Sequence, residues 1–352
     1  MDEGGYGCVY FPGISCDGKK STPKFITKIQ KLNDTLKNEY QISQKIRGIK
    51  GYTKHFAPIV KLCPVKLTKF NTDEIQKCTK LSEESKSDIE SPKYVSSKVR
   101  YAGKLNIGKY IRHSVEDTHD IVDIVDTQVY ILKGLHMLNN AGIIHYDIKS
   151  DNIIYDDTLK VPIIIDYGLS IYKPDLAPNT YKDKFFAFAA YSYWCIDIVT
   201  CSYIFRKMKY THAKTALIAE EELNFIYDSF IESMHGGETY TNSVFLLSII
   251  SKTKYEKFRE KYDTYFRAFI GKTWFELYEH LMSYSDTWDN YSVSVMYLME
   301  MNDIRQSRPK TYNTVKTMPS FQKYLHLLET CVFSMPNERP NIPDTISNLK
   351  QL

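Results

Sequence analysis

The stretch IIHYDIKSDNIIYD, residues 143–156, sets His145, Asp147, Lys149, Asp151 and Asn152 between two apolar runs with the composition of buried β-strand. Turns between strands are ordinarily built from Gly, Pro or Asn, so ionisable side chains in such number invite a chemical explanation. For any single Asp or Lys the bland alternative is a solvated turn. Carboxylates flanked by IIH and PIII, as Asp147 and Asp166 are, weigh against it, because an unpaired buried carboxylate is costly and calls for a compensating cation.

Working outward, VPIIIDYG follows as a second β-like run. Upstream, residues 120–140 carry Ile121, Ile124, Val125, Val129, Leu132, Leu135 and Leu138 at helical spacing and end at Asn139, Asn140 and Gly142, which predicts an amphipathic helix with an ordinary C-terminal stop. Nearer the start, GGYGCVYF and KFITKIQ read as two strands of a hairpin. A helix is expected over Thr35–Ile49, capped by Asn33 or Asp34. Residues 70–98 are polar, Ser-rich and aperiodic, and read as a disordered surface insertion. VRYAGKLNIGKYI begins β-like and turns at Gly103, and residues 200–350 read as mostly helical. There Tyr262, Tyr265, Phe266 and Phe269 form an aromatic stripe expected to be core.

Composition sets outer bounds. The 352 residues are 43% hydrophobic and 25% charged, ordinary values for a globular protein. A net charge of +4, evenly spread, gives no argument for nucleic-acid binding. The longest uncharged apolar run, SVFLLSII at 243–250, is too short to cross a bilayer, and MDEGGYG lacks the composition of a secretory signal. Seven cysteines, an odd number without CxxC spacing, fit reduced thiols in an intracellular protein.

Chemical roles can be assigned to the polar residues. An Asp after a strand, as at 147, can accept or orient a hydroxyl proton, and Lys149 can neutralise a phosphoryl group in motion. Asn152 and Asp166 offer the hard oxygens that magnesium prefers. The glycines of GGYGCV can let backbone N–H groups approach phosphate oxygens. Lys28 can point a cation at those phosphates, with Glu39 as its ion-pair partner.

In order and spacing these pieces resemble a known family. HYDIKSDN, followed fourteen positions after Asn152 by DYG, is similar to the HRDxKxxN loop and DFG motif of eukaryotic-type serine/threonine protein kinases. GGYGCV resembles their glycine-rich loop, Lys28 their strand lysine and Glu39 its helix partner. TWDNYSVSVMYL resembles the helix F segment, making Asp289 the brace of the catalytic loop. PNERPN resembles the late motif whose Arg, here Arg339, pairs with an acidic residue, for which Asp197 in YWCID stands in. The chain also looks like the divergent kinases of large cytoplasmic DNA viruses, which implies the cytoplasm of an infected cell or the virion.

The resemblance implies an α+β, two-lobed protein-kinase-like fold. A small β-rich lobe with one helix would span 1–103, with a truncated first strand and the insertion at about 70–98. A larger helical lobe would span 104–352, with a helical insertion at about 199–285. It further implies ATP held by Gly4, Gly5, Gly7, Val9, Lys28, Glu39, Tyr101 and Ala102, with Mg2+ on Asn152 and Asp166. Asp147 and Lys149 would be catalytic, His145 structural, and the acceptor a protein Ser or Thr. A nucleic acid or membrane partner is not expected.

The chain departs from the family pattern in places. Asp2 stands at the first glycine position, so a start upstream of Met1 is expected. Tyr146 replaces the Arg that clamps a phosphorylated loop, which weakens the expectation of activation through such a clamp. DIVTCS at Asp197 imitates the helix F segment, and Asp289 is preferred because a buried helix continues from it. The rival readings are a pseudokinase scaffold and a small-molecule phosphotransferase.

Overall fold

The computed structural model describes residues 2–4, 7–16, 22–65, 67, 77–82, 94–118, 120–186, 191–235 and 252–352. It is a mixed α+β chain with a small antiparallel sheet region and a larger helical part. The chain divides into two units. Unit 1 is Met1–Lys104 with Ile154–Ser170, and unit 2 is Leu105–Ile153 with Ile171–Leu352.

Unit 1 is built on five antiparallel strands, β1 (Asp2–Gly4), β2 (Gly7–Tyr10), β3 (Phe25–Lys31), β4 (Ile59–Val65) and β5 (Tyr94–Arg100), in the order β1-β2-β3-β5-β4. Register aligns Val9 with Lys28 and Lys28 with Ser97, so these three share one face of the sheet. Helix α1 (Asp34–Arg47) covers that face through Leu36 and Tyr40, which pack with Ile59, Leu62, Val95 and Val99. Of the two expected caps, Asn33 is the one used, accepting from the Leu36 N–H at 2.8 Å. On the other face Cys8, Tyr10, Ile14, Ile29, Val65 and Tyr94 form a core with Cys78 and with Leu81 of the short helix α2 (Thr79–Ser82).

Two expectations are corrected here. Four of the seven cysteines are paired, Cys8 with Cys78 and Cys16 with Cys63, so the reading of uniformly reduced thiols fails for unit 1. The stretch 70–98 is not all surface insertion either, because β5, running from Tyr94, lies inside the sheet between β3 and β4. Ser96 and Ser97 made it read as polar, yet both are buried, Ser97 donating its hydroxyl to the Lys28 carbonyl at 3.3 Å. The rest of that stretch, outside 77–82, lies outside the described residues, as do Gly5 and the run at 243–250.

In unit 2, strand β7 (Ile143–Ile144) follows β6 (Leu105–Asn106), α3 (Ile107–Thr118) and α4 (Val122–Asn140). Strands β8 (Ile153–Asp156) and β9 (Val161–Ile164), which from Ile154 on belong to unit 1, are neighbours in a sheet, and in unit 2 β10 (Ile171–Tyr172) pairs with β7. Helices α5 (Ile196–Lys207), α6 (Glu220–His235), α7 (Lys252–Arg267), α8 (Trp274–Met282), α9 (Trp288–Ser307), α10 (Pro319–Val332) and α11 (Ile342–Leu349) make up most of the remainder. Helix α9 is buried nearly all round, as a central core helix must be. Its polar residues are bonded inside: Ser292 donates to the Tyr193 carbonyl at 2.7 Å, and Asn290 to Thr345 at 2.8 Å. Of the aromatic stripe, Tyr262, Phe266 and Phe269 are core, with Tyr262 stacked on Phe266 at 4.4 Å, and Tyr265 is half-buried. Among the described residues no helix is long and apolar enough to cross a membrane.

Candidate functional site

The sequence-nominated residues fall into two sets, one in each unit. In unit 2, Asp147 and Lys149 follow β7, and Asn152 ends the single helical turn Ser150–Asn152. The Asp147 carboxylate accepts from Lys149 Nζ at 2.9 Å and from Asn152 Nδ2 at 2.8 Å, and a third donor, the Tyr191 hydroxyl, lies at 2.8 Å. Its amide nitrogen is spent on Asp147, also on the backbone carbonyl at 2.8 Å, which leaves the Asn152 Oδ1 uncommitted to that bond. That oxygen is the atom a hard cation would use.

The loop carrying these groups is held from beneath. Asp289, at the start of α9, accepts the backbone N–H of His145 at 2.7 Å and of Tyr146 at 2.9 Å. Burial pushes the Asp289 carboxyl up, while the nearby His145 and the two N–H groups pull it back. This anchorage supports an unusual backbone, since Tyr146 has φ +72°, a left-handed value that a bulky side chain rarely adopts. Trp194 secures the same peptide by donating its indole N–H to the Tyr146 carbonyl at 3.0 Å. His145 is fully buried.

Sequence reasoning missed a second brace, Glu300, one buried carboxylate in the apolar run of α9. It accepts from Ser150 at 2.6 Å, meets Arg112 of α3 with its other oxygen, and packs against Gly108. A Cβ at Gly108 would lie 2.2 Å from Glu300 Oε1, so a larger residue there would displace the Glu300 carboxylate. Burial raises the Glu300 carboxyl, opposed by Ser150 and Arg112. The signal was present in the sequence, as a lone charge eleven residues beyond Asp289 within MYLMEM. Deeper in unit 2, Asp197 and Arg339 form a buried ion pair at 2.7 Å, and the Trp288 indole N–H reaches Asp197 at 3.2 Å.

In unit 1, Lys28, Glu39 and Asp166 are brought into electrostatic reach of one another. Burial pushes the Glu39 carboxyl up to about 7; the Lys28 ammonium pulls it down and the Asp166 charge adds to the rise. Lys28 acts on Glu39 through its field, and the expected ion pair does not close within 4.0 Å among the described residues. Lys28 projects from the face of the sheet that α1 covers and Glu39 is buried in α1, so the two share one side of the sheet without a direct bond.

Asp166 has φ +62°, and the turn after it is fastened to α1 by Asn38, whose amide donates to the carbonyls of Gly168 at 2.8 Å and Ser170 at 2.9 Å. Sequence reasoning passed over Asn38, one residue before Glu39. Tyr167 is fully buried and donates to the Ile164 carbonyl at 2.6 Å.

The remaining nominated positions are peripheral to this set. Gly4 faces Gly7 across the β1–β2 pair, and a Cβ at Gly7 would lie 2.2 Å from the Ile29 carbonyl oxygen. Val9 lies opposite Lys28. Tyr101 stacks on Phe11 at 4.2 Å, and Ala102 packs with Ala57 and Ile163. No family model matches the chain, and no curated protein matches it either.

Proposed function

We propose that the chain is a two-lobed protein serine/threonine kinase that moves the γ-phosphate of ATP to a protein Ser or Thr hydroxyl. The observation that carries this reading is the bonding of Asp147: a carboxylate gripped by Lys149 and Asn152, on a loop whose backbone is held by Asp289. In such a loop the base is aimed and its lysine is already charge-paired, which is the preorganisation phosphoryl transfer demands.

The residue types suit a magnesium nucleotide. Asn152 would supply an amide oxygen, Asp166 a carboxylate, and Lys28 a cation for the α and β phosphates. Bound Mg2+ would neutralise phosphate charge. The chain's own residues do the rest. Asp147 takes the acceptor's hydroxyl proton, Lys149 steadies the transferring group, and Glu39 tempers the charge of Lys28. The reading requires the unit 1 set and the unit 2 set to serve one nucleotide.

The test is transfer of labelled γ-phosphate from ATP with Mg2+ to a generic basic protein, comparing wild type with Asp147→Asn. Loss of the general base should slow transfer by roughly 10²- to 10⁴-fold, with the ATP-induced thermal shift nearly unchanged. Equal transfer by the two proteins would remove Asp147 from its role.

A further inference from the structure

The third donor on Asp147 is not used by the reaction just proposed. Lys149 and Asn152 bond the carboxylate through an ammonium and an amide, neither of which can serve as a phosphoryl acceptor in that state. Tyr191 bonds Oδ1 through a hydroxyl, at 2.8 Å. Its ring is fixed by packing, 5.3 Å from Tyr193 and edge-on to Trp194 at 5.2 Å. Trp194 is tied in turn to the Tyr146 carbonyl, next to Asp147. The phenol is therefore delivered to the base by aromatic residues anchored on the base's own loop. A phenol loses its proton at about pH 10 in water, within reach of a well-placed carboxylate acting during bond formation.

We propose that Tyr191 is itself a phosphoryl acceptor, modified by the chain that carries it; this rests on the kinase reading above. In the step, a bond forms between Tyr191 Oη and the γ-phosphorus of ATP as the bond from that phosphorus to the β–γ bridging oxygen breaks. The phenolic proton passes to Asp147, and ADP leaves with the electron pair of the broken bond. The product carries about −1.5 to −2 charges at pH 7 and is repelled by the Asp147 carboxylate once that proton is lost. Phosphorylated Tyr191 then leaves Oδ1 open to the hydroxyl of another substrate. The consequence is expulsion rather than clamping, so it does not need the arginine that Tyr146 replaces.

The experiment uses the full chain with ATP and Mg2+, peptide mass spectrometry to locate phosphate, and a basic protein as second acceptor in parallel. Phosphate should appear on Tyr191 in wild type at a rate independent of protein concentration, and be absent from Asp147→Asn. Tyr191→Phe should lose the same peptide signal, but the decisive reading is on wild type and does not depend on that variant folding. Phosphorylation of the basic protein with Tyr191 left bare overturns this inference and leaves the kinase reading standing. A rate that rises with protein concentration overturns transfer within one chain. Failure of both acceptors overturns the kinase reading and this inference together.

Discussion

Unit 1 and unit 2 secure their polar residues by different means. In unit 2 each carboxylate at the loop meets direct donors: Asp147 has Lys149, Asn152 and Tyr191, Asp289 has two backbone N–H groups, and Glu300 has Ser150 and Arg112. In unit 1 Glu39 is pushed up by burial, and among the described residues it meets the field of Lys28 rather than a direct donor. The frames differ as well. Unit 1 carries two disulfides, whereas Cys195, Cys201 and Cys331 of unit 2 remain buried thiols, pushed up in pKa by that burial. A small sheet unit has little apolar surface to bury, so covalent links contribute more to it. A large helical unit can rely on packing and can hold charged pairs in its interior.

Reduction should break the contrast at its strongest point. The disulfides close loops spanning 70 and 47 residues, and chain entropy puts the contribution of each at about 4 kcal/mol. Under reductant, amide protection in β2, β3 and β5 should collapse while α4 and α9 keep theirs. Unchanged protection in the sheet would mean that packing alone holds unit 1. The matching lesion in unit 2 is Arg339→Ala, which strands Asp197 and should cost about 3–5 kcal/mol. All three tryptophans, Trp194, Trp274 and Trp288, lie in unit 2, so urea unfolding followed by their fluorescence reads this loss directly. A change under about 1 kcal/mol would class the pair with exposed ones.

The legible parts of this chain were those where a local pattern and its structural cause coincide. Asn33, α1 and α4 follow from caps and apolar spacing, and Asp147, Lys149 and Asn152 were nominated by polarity at a strand end. Strand β5 was not legible, because its serines are buried and the Ser97 hydroxyl is satisfied by a carbonyl on a neighbouring strand that lies far away in sequence. The disulfides were hidden for a related reason: Cys8 and Cys78 lie 70 positions apart and meet in the core on one face of the sheet. Tyr191 is one of 28 tyrosines, and nothing near it in sequence marks the one that reaches Asp147. Glu300 shows the opposite case, a signal present but unread, since a lone carboxylate inside an apolar helix must have found partners.

The finest probe of the contrast is the pH dependence of unit 1. The Glu39 carboxyl sits at about 7 when folded against 4.5 for its ordinary value, so the folded state retains a proton that the unfolded state gives up. Its contribution to stability is fully present below about pH 4.5 and is lost as pH rises through about 7, on the order of 3 kcal/mol from the shift alone. Lys28, Asp166 and Tyr167 are the other titratable groups coupled to it. Glu39→Gln keeps the shape, removes the proton equilibrium and relieves the repulsion on Asp166. Urea unfolding by far-UV ellipticity at pH 5 and pH 8, restricted to the part tryptophan does not follow, should weaken with pH in wild type and stay flat in the variant. Identical slopes in both would show that Glu39 is neutralised by Lys28 as directly as Asp147 is by Lys149, and the two units would then differ in their covalent frame only.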